Sequence, residues 1–104
     1  MRGVLLLLPS PRAAFLGRAS DPRLREVIAQ LFRRNARVGS GSAMDAFRFE
    51  LRTGVLLSPR GHGRKLFERR TQLQRLLRDQ HLRPEDRRIV KALLIDMQNA
   101  LSGQ

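Results

Sequence analysis

No cysteine occurs among the 104 residues of the chain, which excludes disulfides, thiolate catalysis and cysteine-based zinc sites. Histidine is almost as scarce. His62 and His81 are the only two imidazoles, too few for a metal site even with carboxylate help, so neither a metal nor another cofactor is expected. No apolar run reaches the length of a membrane-spanning helix, and no internal repeat is visible. A chain of this length forms one domain around one modest core.

Negative charge is also in short supply. Nine Asp and Glu face twenty-one Arg and Lys, a formal net charge of +12. Lys65 and Lys91 are the only lysines, which leaves nineteen arginines. Such an excess repels itself on a small surface and calls for a partner that brings negative charge. Nucleic acid is the first expectation, an acidic protein the second and an anionic membrane the third. Arginine favours bidentate and stacking contacts to phosphate, carboxylate or bases.

The opening "MRGVLLLLPSPRAAF" faintly imitates a signal peptide, but its apolar part from Gly3 to Leu8 is short and Pro9 interrupts it, so a cleaved leader is not expected. Residues 1–20 read as an apolar or irregular arm and 21–104 as a single helical domain. In "SDPRLREVIAQLFRRN", Asp21 suits a cap, Pro22 the first helical position, and Leu24, Val27, Ile28, Leu31 and Phe32 share one face. Ser42 and Asp45 form a candidate capping box for a helix through about Arg52, with Met44, Phe47 and Leu51 inward and Gly54 as its stop. A third helix runs from Arg64 to about Gln80 on Leu66, Phe67, Leu73, Leu76 and Leu77. The last starts at Pro84 and turns Ile89, Val90, Leu93, Leu94, Met97, Ala100 and Leu101 inward. The expected fold is therefore all-α: a small domain of about four amphipathic helices with a short extended or hairpin-like insertion around residues 54–62. Leu31, Phe47, Leu73, Leu77, Leu93 and Met97 are expected in its core.

One stretch, "GSAMDAFRFELRTGVLLSPRGHGRK" at residues 41–65, exceeds what helix periodicity requires. His62 lies between two glycines in a predicted loop, where its ring would be reachable, and an imidazole can exchange a proton near neutral pH. With Glu50 or Asp45 as an orienting carboxylate, and Arg48, Arg60, Arg64 and Lys65 holding phosphate, the composition fits metal-independent phosphodiester chemistry. The plainer account has His62 as an exposed loop residue, Asp45 as a helix cap and Glu50 paired with a neighbouring arginine on a solvated face. "SPRGHGRK" lacks the spacing of a nucleotide-binding P-loop. The basic clusters of "RRTQLQRLLRDQHLRPEDRR" are interleaved with acids, as on any soluble helix, and His81 at a helix exit belongs to no site.

Residues 31–101 resemble a C-terminal module of bacterial polymorphic toxins of the RHS-repeat and filamentous-haemagglutinin type. That module carries a Gly-Ser/Thr-Ala-Asp-Ala-Ile-Arg-His-Glu run, then Thr-Gly, then Val-Gly-Gly-Lys-x-His-x-x-Lys. "GSAMDAFRFE" places Asp45, Arg48 and Glu50 on its polar positions, Thr53-Gly54 on the next pair, His62 on the spaced histidine, Lys65 on the final lysine and Arg60 on the earlier one. The chain departs from the pattern at Phe49, which replaces a histidine, at Ser58-Pro59, which replace two glycines, and at Leu66, which replaces a glycine. The resemblance implies an antibacterial effector acting on nucleic acid in the cytoplasm of a target cell after delivery by a producing bacterium, with an acidic immunity protein as a second partner. The alternative is a non-catalytic helical module, of which a degenerate copy of the effector is one form, that uses the same basic surface to bind nucleic acid or an acidic protein.

Overall fold

The structure, a computed structural model, describes residues 10–33 and 38–104. It is all-α, and among these residues five helices and no strand occur: α1 Pro11–Arg18, α2 Pro22–Leu31, α3 Ala43–Thr53, α4 Gly63–Arg78 and α5 Pro84–Leu101. The leader-like segment up to Pro9 lies outside the described residues.

The helix starts follow from local chemistry. Asp21 accepts the N–H of Arg23 ahead of Pro22, and the Ser42 hydroxyl accepts the N–H of Asp45, so each satisfies a donor the helix leaves without a partner. Gly54, at φ 72°, ends α3 in the left-handed region. Helix α1 lies in the segment read as an arm from sequence. Ser10 caps it and Phe15 and Leu16 pack against the core, with Phe15 and Phe32 rings 5.4 Å apart. Its single apolar pair, Phe15-Leu16, gives no periodic stripe to read.

Helix α5 is the central element, packing on α4, α3 and α1, while α4 also meets α2 and α3. Leu31, Leu73, Leu93 and Met97 are buried as expected, whereas Phe47 and Leu77 are only partly buried against the same cluster. Leu51 and Phe67 were expected inward and are exposed. In α3 the buried position of the last turn is taken by Glu50, and in α4 the Phe67 ring lies outside under the guanidinium of Arg70, 4.7 Å from its centre.

The joint between α1, α2 and α5 is held by a buried carboxylate. Asp86 accepts the N–H and the hydroxyl of Ser20, at 2.8 and 2.7 Å, and the N–H of Asp21 at 3.1 Å. Two arginines serve as caps for the carbonyl ends of other helices. Arg25 donates to the carbonyls of Leu16 and Ala19, and Arg87 to those of Leu77 and Asp79, which carry the partial negative charge of helix ends. Arg48 ties α3 to the last part of the chain through the carbonyls of Asp96, within α5, and Gln104, beyond it, so part of the arginine excess belongs to the fold itself.

Candidate functional site

Between α3 and α4 the chain runs through residues 54–62 as an irregular loop, not a hairpin. Pro59 sits second in the turn Ser58–Gly61, closed by the Gly61 N–H on the Ser58 carbonyl at 3.0 Å. The loop is gathered around Glu50, whose side chain is 4% exposed. One carboxylate oxygen, Oε1, accepts the N–H of His62 at 2.8 Å. The other, Oε2, accepts the N–H of Leu57 at 3.0 Å and faces the ring Nδ1 of His62 at 2.8 Å.

The two glycines around His62 have a steric reason. A Cβ on Gly61, at φ 69°, would stand 3.2 Å from Glu50 Oε1 and 3.1 Å from a Leu56 methyl, and one on Gly63 would stand 3.0 Å from the Phe47 ring. They let the backbone press onto α3. His62 is accordingly less open than a loop histidine was expected to be, with 21% of its side chain exposed, and Glu50 is a buried partner of His62, not a surface partner of an arginine.

Burial raises the Glu50 pKa, but the His62 ring, the N–H groups of Leu57 and His62, and the attraction of the imidazole outweigh it. The carboxyl therefore lies below its ordinary value. An ionised carboxylate only accepts, so His62 Nδ1 carries the hydrogen in this contact, and whenever the ring bears that one hydrogen alone Nε2 is its acceptor. Among the described residues Nε2 has no hydrogen-bond partner. This is the arrangement in which a carboxylate fixes the tautomer of an imidazole and leaves its other nitrogen able to take a proton.

His62 and Lys65, three residues apart at the start of α4, line a small cleft with Leu31, Arg33, Gly41, Ser42, Ala43 and Ala46. Its volume, about 40 Å³, admits water or the edge of a larger group. Burial, and then repulsion from Arg33 and Arg69, hold the Lys65 ammonium below the ordinary lysine pKa. No carboxylate among the described residues lies within ion-pair distance of Lys65. Arg33 was not singled out in the sequence, because its place here depends on the end of α2 meeting the start of α4. Only its position in a basic run signalled it.

The remaining candidates lie elsewhere. Asp45 accepts the N–H of Ser40 at 2.7 Å and pairs with Arg48 at 3.0 Å; the capping box is thus half formed, since its carboxylate reaches Ser40 instead of Ser42. Arg48 is occupied by Asp45, Asp96 and the carbonyl of Gln104. Arg60 and Arg64 are exposed, Arg64 at 3.8 Å from Glu68. His81 is exposed and donates its backbone N–H to Asp79. Among the described residues no group of three or more His, Asp or Glu is placed to hold a metal ion, and no helix is long and apolar enough to cross a membrane. Comparison with protein-family models, with curated proteins and with solved structures finds no match to this chain.

Proposed function

We propose that this chain is an effector domain of the polymorphic-toxin kind that cleaves nucleic acid, with His62 as its proton-transfer group. The observation that carries the reading is the 2.8 Å contact between Glu50 Oε2 and His62 Nδ1 beside Lys65, which has no carboxylate partner among the described residues. In the proposed reaction His62 Nε2 removes the proton of the attacking hydroxyl as its oxygen bonds to phosphorus. Lys65 and Arg33 stabilise charge on the phosphoryl oxygens. Lys65, made more acidic by burial and by Arg33 and Arg69, is suited to protonate the oxygen that leaves as the second P–O bond breaks. Helix α4 supplies the electrostatic approach, since Arg64, Lys65, Arg69, Arg70, Arg75 and Arg78 face a single acid, Glu68, on its sixteen residues.

A second reading is a basic module that binds without turnover. It is favoured by the two backbone N–H groups on Glu50, which give that residue a structural role whatever His62 does. Expression in bacteria of the wild type and of His62→Ala, followed by inspection of total RNA and DNA, separates the two. Growth arrest with degraded nucleic acid from the wild type alone supports cleavage. Equal arrest from both forms, or intact nucleic acid throughout, leaves binding.

A further inference from the structure

The same loop that positions His62 carries a feature that cleavage does not use. Val55, Leu56 and Leu57 are consecutive and 55%, 59% and 42% exposed, and Leu51, one turn back on α3, is exposed as well. Scattered aliphatic exposure is ordinary, but a run of this kind on a chain with so much charge is not. Residues 51–60 contain no acid, and within them the exposed Arg52 and Arg60 stand on either side of the Val55–Leu57 run. We propose that this loop docks the protein on an anionic lipid surface, with Val55, Leu56 and Leu57 entering the boundary between headgroups and acyl chains and Arg52 and Arg60 meeting the lipid phosphates.

Three observations favour lipid over the other occupants. Most of the tip's backbone donors are already satisfied: three of the four N–H groups from Gly54 to Leu57, those of Gly54, Val55 and Leu57, donate to the Glu50 carbonyl, the Thr53 hydroxyl and the Glu50 carboxylate, at 2.8, 3.1 and 3.0 Å, which lowers the cost of entering a medium that offers few hydrogen bonds. The side chains are aliphatic, whereas bases stack on aromatic rings, so nucleic acid does not complement them. A second copy of the chain would bring another +12 toward the first, while an anionic leaflet matches both the charge and the apolar tip. Because Leu57 and His62 share one carboxylate, lipid contact at the tip acts directly on the element that holds the imidazole.

The test uses the full chain and flotation with vesicles of phosphatidylcholine alone or enriched in phosphatidylglycerol. Leu56→Ser/Leu57→Ser and Val55→Ser/Leu56→Ser keep the charge, and circular dichroism and a thermal melt confirm that at least one variant is folded. The wild type is expected to float with the anionic vesicles and partly to remain there at high salt. The folded variant is expected to lose about tenfold or more in partitioning, with unchanged binding to nucleic acid. Equal partitioning of wild type and folded variant, or full release of the wild type by salt, would show adsorption by charge alone and overturn the proposal. Failure of the wild type to float would overturn it too, leaving an acidic protein as the occupant of the loop.

Discussion

Two buried carboxylates organise this molecule, and they differ in what they hold. Asp86, 1% exposed, gathers two backbone N–H groups and a hydroxyl at the joint of α1, α2 and α5. Glu50, nearly as deeply placed, gathers two backbone N–H groups and an imidazole between α3 and α4. Both satisfy the rule that a buried charge needs several donors. The partners of Asp86 are inert near neutral pH, whereas one partner of Glu50 is an imidazole that borders a cleft lined by Arg33 and Lys65. A fold needing only a staple is served by groups like those of Ser20; an imidazole at the same place adds chemistry.

Removing each carboxylate sharpens the contrast. Asp86→Ala strands three donors; bonds to a charged group are worth about 1.5–3 kcal/mol each and neighbouring contributions do not add in full, so a loss of about 3 kcal/mol or more in urea unfolding is expected. Leu93→Ala at the centre of α5 is expected to cost about 2–5 kcal/mol by the same measurement, and an unchanged midpoint would contradict its place in the core. Glu50→Gln should cost less, about 1–3 kcal/mol, because the amide keeps the shape and one acceptor, while its effect on turnover should exceed its effect on stability. The pH dependence carries a matching signature. The folded-state pKa of Glu50 is depressed, so its contribution is fully present above the ordinary glutamate value and is lost as pH falls through the lowered one. Asp45 is also held low; burial opposes this, but Ser40 and Arg48 prevail. Glu50→Gln should therefore flatten the acid limb of a stability profile only in part.

Lys65 reverses the pattern. Its pKa is depressed by burial and by its cationic neighbours, so the unfolded chain holds the proton more tightly and the charged form opposes folding below the lowered value. Lys65→Met should leave the melting temperature unchanged or raised, yet weaken nucleic-acid binding by about fivefold and reduce the salt slope by about 0.9 for duplex DNA. A residue that disfavours folding and favours binding marks a site; a fall in melting temperature without loss of affinity would make Lys65 a packing residue.

The helix framework was legible because its signals are local: Asp21-Pro22, Ser42, Gly54 and Pro84 mark ends that the structure keeps. The all-α fold followed from those marks and from stripes such as Leu73, Leu76, Leu93 and Met97. Helix α1 escaped notice because it depends on contact with Phe32, not on a stripe of its own. Within the candidate site, the proximity of Glu50 and His62 was open as one of two pairings, since twelve residues of loop do not fix a distance. Arg48 looked available for phosphate because, apart from Asp45 three residues before it, its partners Asp96 and Gln104 are some fifty positions away. The burial of Asp86 had no sequence signal beyond an acid in a first helical turn.

The central claim is that the Glu50–His62 pair performs proton transfer, and the most direct measurement is cleavage of labelled RNA and DNA by purified wild type and His62→Ala, with a chelator present. His62→Ala removes one of the three donors on Glu50, so it should fold with a somewhat lower melting temperature, bind substrate comparably and cleave about 10²–10⁴-fold more slowly. Equal rates from the two folded proteins, or no cleavage of either nucleic acid by the wild type, would contradict the claim and return Glu50 to the role of Asp86.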